Sequence, residues 1–211
     1  MSPPTAVPAH GQLAASRRMA VAALACGSLL LVLLWYGPLP DMARRAFSPH
    51  MFLHLGVTVV AAPLIALGLV WLGRDRAIRH PVSLALGASL FVMFVVWGWL
   101  APVLHEAAAG HLPAFVAQQA SFFCAGVLIW AAAFSGNIRA MAGVSVFAML
   151  FTFIHMTMLG LLLSLAPGLL YDPAFCLGAW GLDPLDDQRL GGVLMAVLGG
   201  LPYLAGGLAL T

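Results

Sequence analysis

Six long apolar runs constrain this chain more than any other feature of its sequence. They lie near residues 18–36, 50–72, 81–100, 112–135, 139–166 and 189–210. About 20 residues of helix cross the hydrocarbon core of a bilayer, and a spanning helix satisfies its own backbone hydrogen bonds there. Only 8% of the residues are charged, against about 25% in soluble domains. The sequence therefore predicts an all-α membrane protein, a bundle of about six transmembrane helices.

The arginines predict the orientation of this bundle. If the N-terminus is cytoplasmic, the cytoplasmic side receives six of the nine basic residues: Arg17, Arg18, Arg74, Arg76, Arg79 and Arg139. The outer side receives Arg44, Arg45 and Arg189, together with six of the seven acidic residues. Cytoplasmic loops carry the excess of positive charge, so we expect both termini in the cytoplasm and a multi-pass protein of the bacterial inner membrane.

The domain organisation predicted from the sequence is simple. Residues 1–16 contain three prolines and several small residues, which is typical of a disordered tail. Residues 17–211 form a single transmembrane domain. The formal charge of +2 is too small to indicate nucleic acid. The three cysteines form no CxxC pair, and hydrolase and phosphate-loop motifs are absent, so the sequence shows no sign of an enzyme.

Apart from histidine, this chain places almost no ionisable group inside its apolar runs. His50 and His54 are four residues apart at the start of the second run, so they share one helix face with a rise of about 6 Å between them. His155 lies within the fifth run. Buried ionisable groups in a membrane are costly and commonly mark a functional site. His105 and His111 fall between the third and fourth runs and are interpreted as ordinary loop residues.

The histidines and nearby methionines predict a copper site in the outer half of the bundle. The candidate ligands are His50, His54, His155 and Met195, with Met51 and Met158 as weaker ones. Neutral imidazole and thioether ligands suit Cu(I). The alternative is that these histidines only form hydrogen bonds between helices. For the pair His50 and His54 the two interpretations are balanced, and the methionines need no special cause in so apolar a chain.

The polar stretch before the last run predicts a helix start. Asp183 precedes Pro184, which suits an N-cap followed by proline at the first helical position. Asp186 stands where a capping-box acid would lie. Asp187 and Gln188 follow, and they are candidates for polar support of a ligand or a partner. Downstream, Gly192, Gly199 and Gly206 recur every seven residues, a spacing that favours close helix contact.

Several of these segments together resemble a known family. They are the HMFLH motif from His50 to His54, the HMTMLGLLLSLAP run from His155 to Pro167, and GLDPLDDQRLGGVLM from Gly181 to Met195. The chain resembles the multi-spanning cytochrome c oxidase assembly factors of the CtaG type over roughly residues 46–211. The resemblance implies a non-enzymatic role in maturing haem-copper oxidases by supplying or positioning copper. It carries His50, His54, His155, Asp187, Gln188 and Met195 as the matching positions.

The same resemblance implies partners and shows two departures. The partners would be cytochrome c oxidase subunits, the lipid bilayer and a periplasmic copper chaperone, with no nucleic acid. The family commonly has a Trp-His-x-Pro motif, where this chain has Leu100 after Trp99. A histidine expected in the fourth helix is Gln119 here.

Three other functions stay open from the sequence. A b-type haem protein would use His54 and His155 as axial ligands on facing helices. A metal-free scaffold for an oxidase subunit would need none of the histidines. A copper transporter ranks last, because the cytoplasmic halves of the runs carry no line of polar residues.

Overall fold

The fold is a bundle of six membrane-spanning helices. The computed structural model describes residues 10–73, 81–135 and 139–210. Six helices in these ranges are long and apolar enough to cross a membrane, and we call them the first to sixth spans in chain order: Ala14–Tyr36, Phe47–Leu72, Val82–Leu100, Leu112–Phe134, Gly143–Ser164 and Pro184–Ala209. No strand occurs within the described ranges. The prediction of an all-α bundle of six spans is confirmed.

Four spans lie in single helices: the first in His10–Tyr36, the third in Pro81–Leu100, the fourth in Leu112–Phe134 and the fifth in Arg139–Ser164. Two short helices connect spans: Leu39–Ala43 joins the first to the second, and Pro102–Gly110 joins the third to the fourth. The first helix begins at His10, so residues 10–16 are not the disordered tail that was predicted. Leu13, Ala14 and Ala15 favour helix there, since no proline occurs between Pro8 and Pro38. The predicted tail at 1–9, the stretch with Arg74, Arg76 and Arg79, and the turn at 136–138 lie outside the described residues.

The second and sixth spans share a π-helical insertion. The second span consists of the α-helix Phe47–Leu55, the π-helix Gly56–Ala61 and the α-helix Ala62–Leu72. The sixth span likewise consists of the α-helix Pro184–Leu194, the π-helix Met195–Gly199 and the α-helix Leu201–Ala209. Pro63 and Pro202 stand in the first turn of the last helix in each case. Proline cannot donate to the carbonyl one turn back, and a local π segment accommodates that loss inside a membrane helix. Such segments are frequent at functional sites.

Glycines bring the fifth and sixth spans into backbone contact. A Cβ added at Gly160 would lie 2.6 Å from the carbonyl oxygen of Gly192, and one added at Gly192 would lie 2.7 Å from the carbonyl oxygen of Gly160. Only glycine permits this approach, so the predicted small-residue stripe of the last helix does serve helix contact. A similar contact joins the fourth span to the second, since a Cβ at Gly126 would lie 2.9 Å from the Cβ of Ala62.

Three connecting segments meet at one end of the bundle, which we call the histidine end. It comprises residues 37–50, 100–112 and 164–187. The Arg44 Nε donates to the Ala109 carbonyl at 3.0 Å, and the Leu177 amide donates to the carbonyl of Arg45 at 2.8 Å. The Tyr171 hydroxyl donates to the Leu100 carbonyl at 2.9 Å. These bonds link all three segments, so the residues that they carry are held together.

Candidate functional site

Asp187 caps the second span rather than its own helix. Its side chain is fully buried and accepts hydrogen bonds from the Phe47 amide at 2.6 Å, from the Ser48 amide and from the Ser48 hydroxyl. The first amides of a helix have no partner within the helix, and a carboxylate there is also favoured by the helix dipole. Asp187 therefore fixes where the second span begins, three residues before His50.

Gln188 fastens the connecting segment after the fifth span. It is also fully buried. Its Oε1 accepts from the Leu170 amide at 2.8 Å, and its Nε2 donates to the carbonyls of Leu163 at 3.3 Å and Gly168 at 3.5 Å. We call Asp187 and Gln188 the anchor pair. In this structure the bonds of the anchor pair go to backbone and to Ser48, and its role as polar support for a ligand or a partner stays a prediction.

The predicted cap of the sixth span is also present. The Asp183 side chain accepts from the Asp186 amide at 2.9 Å, with Pro184 at the first helical position. The Asp186 carboxylate turns outward and pairs with Arg189 at 3.3 Å. The capping box is therefore half formed, and Asp186 lies at the surface.

His50 and His54 are buried among aromatic rings at the start of the second span. His50 is 2% exposed and His54 is 0% exposed. The His54 ring lies 4.1 Å from the Phe122 ring, centroid to centroid, and the His50 ring lies 6.3 Å from the same ring. His50 Nε2 and both nitrogens of His54 are buried with no hydrogen-bond partner among the described residues. Both imidazoles thus keep a nitrogen free for a ligand.

His105 joins this group, although the sequence predicted an ordinary loop residue there. It lies on the short helix Pro102–Gly110, is 3% exposed, and its ring lies 4.8 Å from the His50 ring at 75°. Burial lowers the pKa of His105 to about 4, so its imidazole is neutral at pH 7. The sequence does carry a signal, because His105, Ala108 and Ala109 are three and four residues apart and so share one helix face. These three are the buried residues of the helix.

We call His50, His54 and His105, with the rings of Phe47, Phe122 and Tyr171, the histidine cluster. Tyr171 lies 4.4 Å from His105 and 4.9 Å from Phe47, again between ring centroids. Burial raises the pKa of Tyr171, so its hydroxyl stays protonated and donates to Leu100. The cluster thus packs three imidazoles among three aromatic rings.

The predicted methionine ligands divide into two groups. Met51 and Met195 are fully buried and belong to the same core cluster as Phe47, Phe122 and Tyr171. Met195 is also the first residue of the π-helix in the sixth span. Met158 is 47% exposed on the outside of the fifth span, so the structure does not place it with the buried set.

His155 is buried but lies apart from the histidine cluster. Its exposed fraction is 3% and its ring contact is with Phe151 on its own helix, at 5.6 Å. The fifth span ends at Ser164, which puts His155 about 14 Å below that end, and His54 lies about 10 Å below Phe47. The depths are comparable, yet in the described structure His155 makes no ring contact with the other histidines. Axial ligation of one haem by His54 and His155 gains no support from this arrangement.

Within the described residues, no three histidine, cysteine or acidic side chains lie close enough to hold one metal ion. Cys176 is the buried cysteine of this end. Burial, with the nearby charges of Asp187 and Glu106, raises its pKa to about 12. A thiol that stays protonated is a poor metal ligand. Any ion in the cluster would therefore be held by very few donors, all of them neutral.

The comparison with known families decides what kind of protein this is. The profile of the cytochrome c oxidase caa3 assembly factors matches residues 7–211. The chain belongs to that family. No curated protein and no solved structure matched the chain. An oxidase partner and a place in a membrane follow from the family and from the six spans.

One departure from the CtaG pattern, Leu100, contacts the histidine cluster, and the other, Gln119, lies one helical turn before Phe122 in the fourth span. Leu100 is buried, and its carbonyl accepts from Tyr171. Gln119 is 4% exposed, and its Nε2 donates to the Gln118 Oε1 at 3.5 Å. The other polar atoms of these two amides, Gln118 Nε2 and Gln119 Oε1, have no partner among the described residues. At the two positions where the family commonly has histidine, this assembly factor has Leu100 and Gln119. Gln119 and its neighbour Gln118 each keep one side-chain polar atom without a hydrogen-bond partner among the described residues.

Proposed function

We propose that this assembly factor binds or passes copper at its histidine cluster while a haem-copper oxidase matures. His50 and His54 are the imidazole donors of the proposal, and the buried Met51 and Met195 are the softer ones. Copper is cargo in this scheme, and the role is non-enzymatic. The protein would hold the ion until an oxidase subunit receives it.

The observation that supports this proposal is the unsatisfied nitrogens of His50 and His54. A buried polar group without a partner costs about 1–3 kcal/mol, and each such group in a native protein needs an explanation. Three nitrogens on two adjacent histidines lack partners within the described residues. Imidazole and thioether ligands suit copper, and neutral donors avoid burying a carboxylate in the membrane.

The charge distribution supports a periplasmic position for the histidine end. The topology predicted from the sequence assigns six of the nine arginines to the opposite side of the bundle, whereas Arg44 and Arg45 belong to the histidine end and Arg189 pairs with Asp186 there. By the positive-inside rule, that opposite side is cytoplasmic. The histidine end would then face the periplasm of a bacterial inner membrane, where a soluble copper chaperone could deliver the ion.

Copper binding by the detergent-purified protein tests the proposal. Cu(I) would be titrated anaerobically in competition with a chromogenic chelator, for the wild type and for His54→Ala, His155→Ala and His111→Ala. We expect one tightly bound ion in the wild type, loss in His54→Ala, and a smaller loss in His155→Ala because that ring lies apart. His111 is exposed, so His111→Ala is the matched control and should bind like the wild type.

Oxidase maturation in cells provides the second readout. We expect His54→Ala to lower the copper content and activity of the oxidase while the assembly factor itself stays at its normal level in the membrane. If the wild type binds no Cu(I) and His54→Ala matures the oxidase normally, copper handling is wrong for this protein. A metal-free scaffold for an oxidase subunit would then be the better account.

A further inference from the structure

His105 is an unexpected member of the histidine cluster because it comes from outside the spans. The helix Pro102–Gly110 connects the third and fourth spans and turns His105 into the bundle. The His105 ring packs edge-on against His50 at 4.8 Å and lies 5.4 Å from the Phe47 ring. The second span and the connecting helix thus present one imidazole each to the same small space.

Each of these two imidazoles has a nitrogen without a partner. His50 Nε2 and His105 Nδ1 are both buried and lack a hydrogen bond within the described part of the chain. The surrounding side chains supply little: Phe47 and Phe122 have no polar atoms, and the Tyr171 hydroxyl is committed to Leu100. Two unsatisfied nitrogens on touching rings are an expensive arrangement unless a ligand joins them.

From this geometry we propose that His50 and His105 form a two-coordinate Cu(I) site, bridged through His50 Nε2 and His105 Nδ1. This deepens the proposed function and rests on it: within the histidine cluster it puts His105 in place of His54 as the second imidazole donor, and it adds a preference for one metal. Cu(I) is a d¹⁰ ion that accepts two neutral nitrogen donors in a near-linear arrangement. Zn²⁺ almost always takes four ligands in structural sites and three protein ligands in catalytic ones.

The neighbours of the pair favour this low coordination number. No third histidine, cysteine or acid completes a group with them in the described structure. Asp187, the carboxylate of the anchor pair, accepts hydrogen bonds from Phe47 and Ser48. Cys176 keeps its proton, as its raised pKa indicates. The site therefore offers two neutral nitrogens inside an apolar wall, which selects Cu(I) over divalent ions that need more donors.

Metal titration of the full-length protein in detergent tests this pair. The probes are Cu(I) and Zn²⁺, each alone, with the wild type, His50→Phe, His105→Phe, His105→Met and the exposed-residue control His111→Phe. We expect His50→Phe and His105→Phe to lose more Cu(I) affinity than the roughly 10- to 100-fold that loss of a second-shell partner costs. His111→Phe should match the wild type, and Zn²⁺ should not bind stoichiometrically to any of them.

The variant His105→Met separates a ligand from a structural residue. A thioether is also a Cu(I) ligand, so His105→Met should recover most of the affinity that His105→Phe loses. Copper K-edge absorption should count two imidazoles per ion in the wild type and one in His105→Met. If His105→Phe does not fold, His105→Met still provides this count.

The outcomes distinguish this inference from the proposed function. If the wild type binds Cu(I) and His54→Ala abolishes binding while His105→Phe binds normally, the His105 assignment is wrong and copper handling stands. Stoichiometric Zn²⁺ binding by the wild type would also overturn the two-coordinate site. If the wild type binds no Cu(I) at all, both proposals fall together.

Discussion

The anchor pair and the histidine cluster lie at the same end of the bundle and are both buried, yet they differ in whether their polar atoms have hydrogen-bond partners. Both carboxylate oxygens of Asp187 and both amide atoms of Gln188 have hydrogen-bond partners. In the cluster, His50, His54 and His105 each keep at least one nitrogen without a partner among the described residues.

This difference indicates a structural role for the anchor pair and a ligand-binding role for the histidine cluster. Saturated buried networks rigidify a fold and specify one arrangement of its helices. Buried polar atoms without a partner cost stability, so each calls for an explanation such as a bound ion or water. We infer that the anchor pair positions the second span and the connecting segments. We also infer that the imidazoles of the histidine cluster, held in place by these segments, bind a ligand.

The largest expected effect comes from removing the carboxylate that caps the second span. Asp187→Ala would leave the amides of Phe47 and Ser48 buried and unpaired. Hydrogen bonds to a charged group contribute about 1.5–3 kcal/mol each, so we expect the free energy of unfolding to fall by about 3 kcal/mol. Thermal or denaturant unfolding of the detergent-solubilised protein measures this change.

The neighbouring acid provides the control for that prediction. Asp186 is exposed and makes a surface salt bridge with Arg189. Such pairs contribute about 0–1 kcal/mol, so Asp186→Ala should be close to the wild type. Equal losses in Asp186→Ala and Asp187→Ala would contradict the role of Asp187 as the cap of another span.

A smaller loss is expected at the second member of the anchor pair. Gln188→Ala removes the acceptor of the Leu170 amide and the donor to Leu163. Neutral hydrogen bonds contribute about 0.5–1.5 kcal/mol each, so we expect the unfolding free energy to fall by about 2 kcal/mol. Amide hydrogen exchange should accelerate at Leu170 and leave the fourth span unchanged. Exchange at Leu170 that stays slow in Gln188→Ala would show that the bond is unimportant.

The smallest expected effect has the opposite sign, and it sharpens the comparison most. His54→Phe replaces an imidazole whose two nitrogens have no partner in the described structure with an apolar ring. Without copper we expect this variant to gain about 1 kcal/mol of stability, since the desolvation penalty disappears while the larger ring adds some overpacking. Unfolding in the presence of a copper chelator measures it. A loss of several kcal/mol would mean that His54 is a structural residue.

Much of the fold could be predicted because membrane insertion leaves few choices. Apolar runs of 20 residues must be helices, and all six spans fall where the sequence indicates. The cap at Asp183 was also predictable, because its partner, the amide of Asp186, is three residues away. The early start of the first helix was missed because composition alone does not separate an Ala-rich helix from a flexible tail.

The site could be predicted only in part, because its decisive contacts join distant segments. Asp187 and Phe47 are 140 residues apart in sequence, and no local rule pairs them. His105 lies in a connection between spans, where a histidine normally contacts water, and the structure turns the connecting helix so that His105 is buried. The similar depth of His54 and His155 in the membrane could be predicted from the rise per residue of a helix. Their lateral separation could not, because it depends on how the spans pack.

The shift of unfolding temperature on adding Cu(I) tests the division between the two regions most directly. A ligand that binds the folded state at 100 times its Kd stabilises it by about 2.7 kcal/mol. We predict that Asp187→Asn unfolds at a lower temperature than the wild type but shows the same copper-induced increase, and that His50→Phe shows no increase. An increase that persists in His50→Phe, or that disappears in Asp187→Asn while this variant remains folded, would contradict the account.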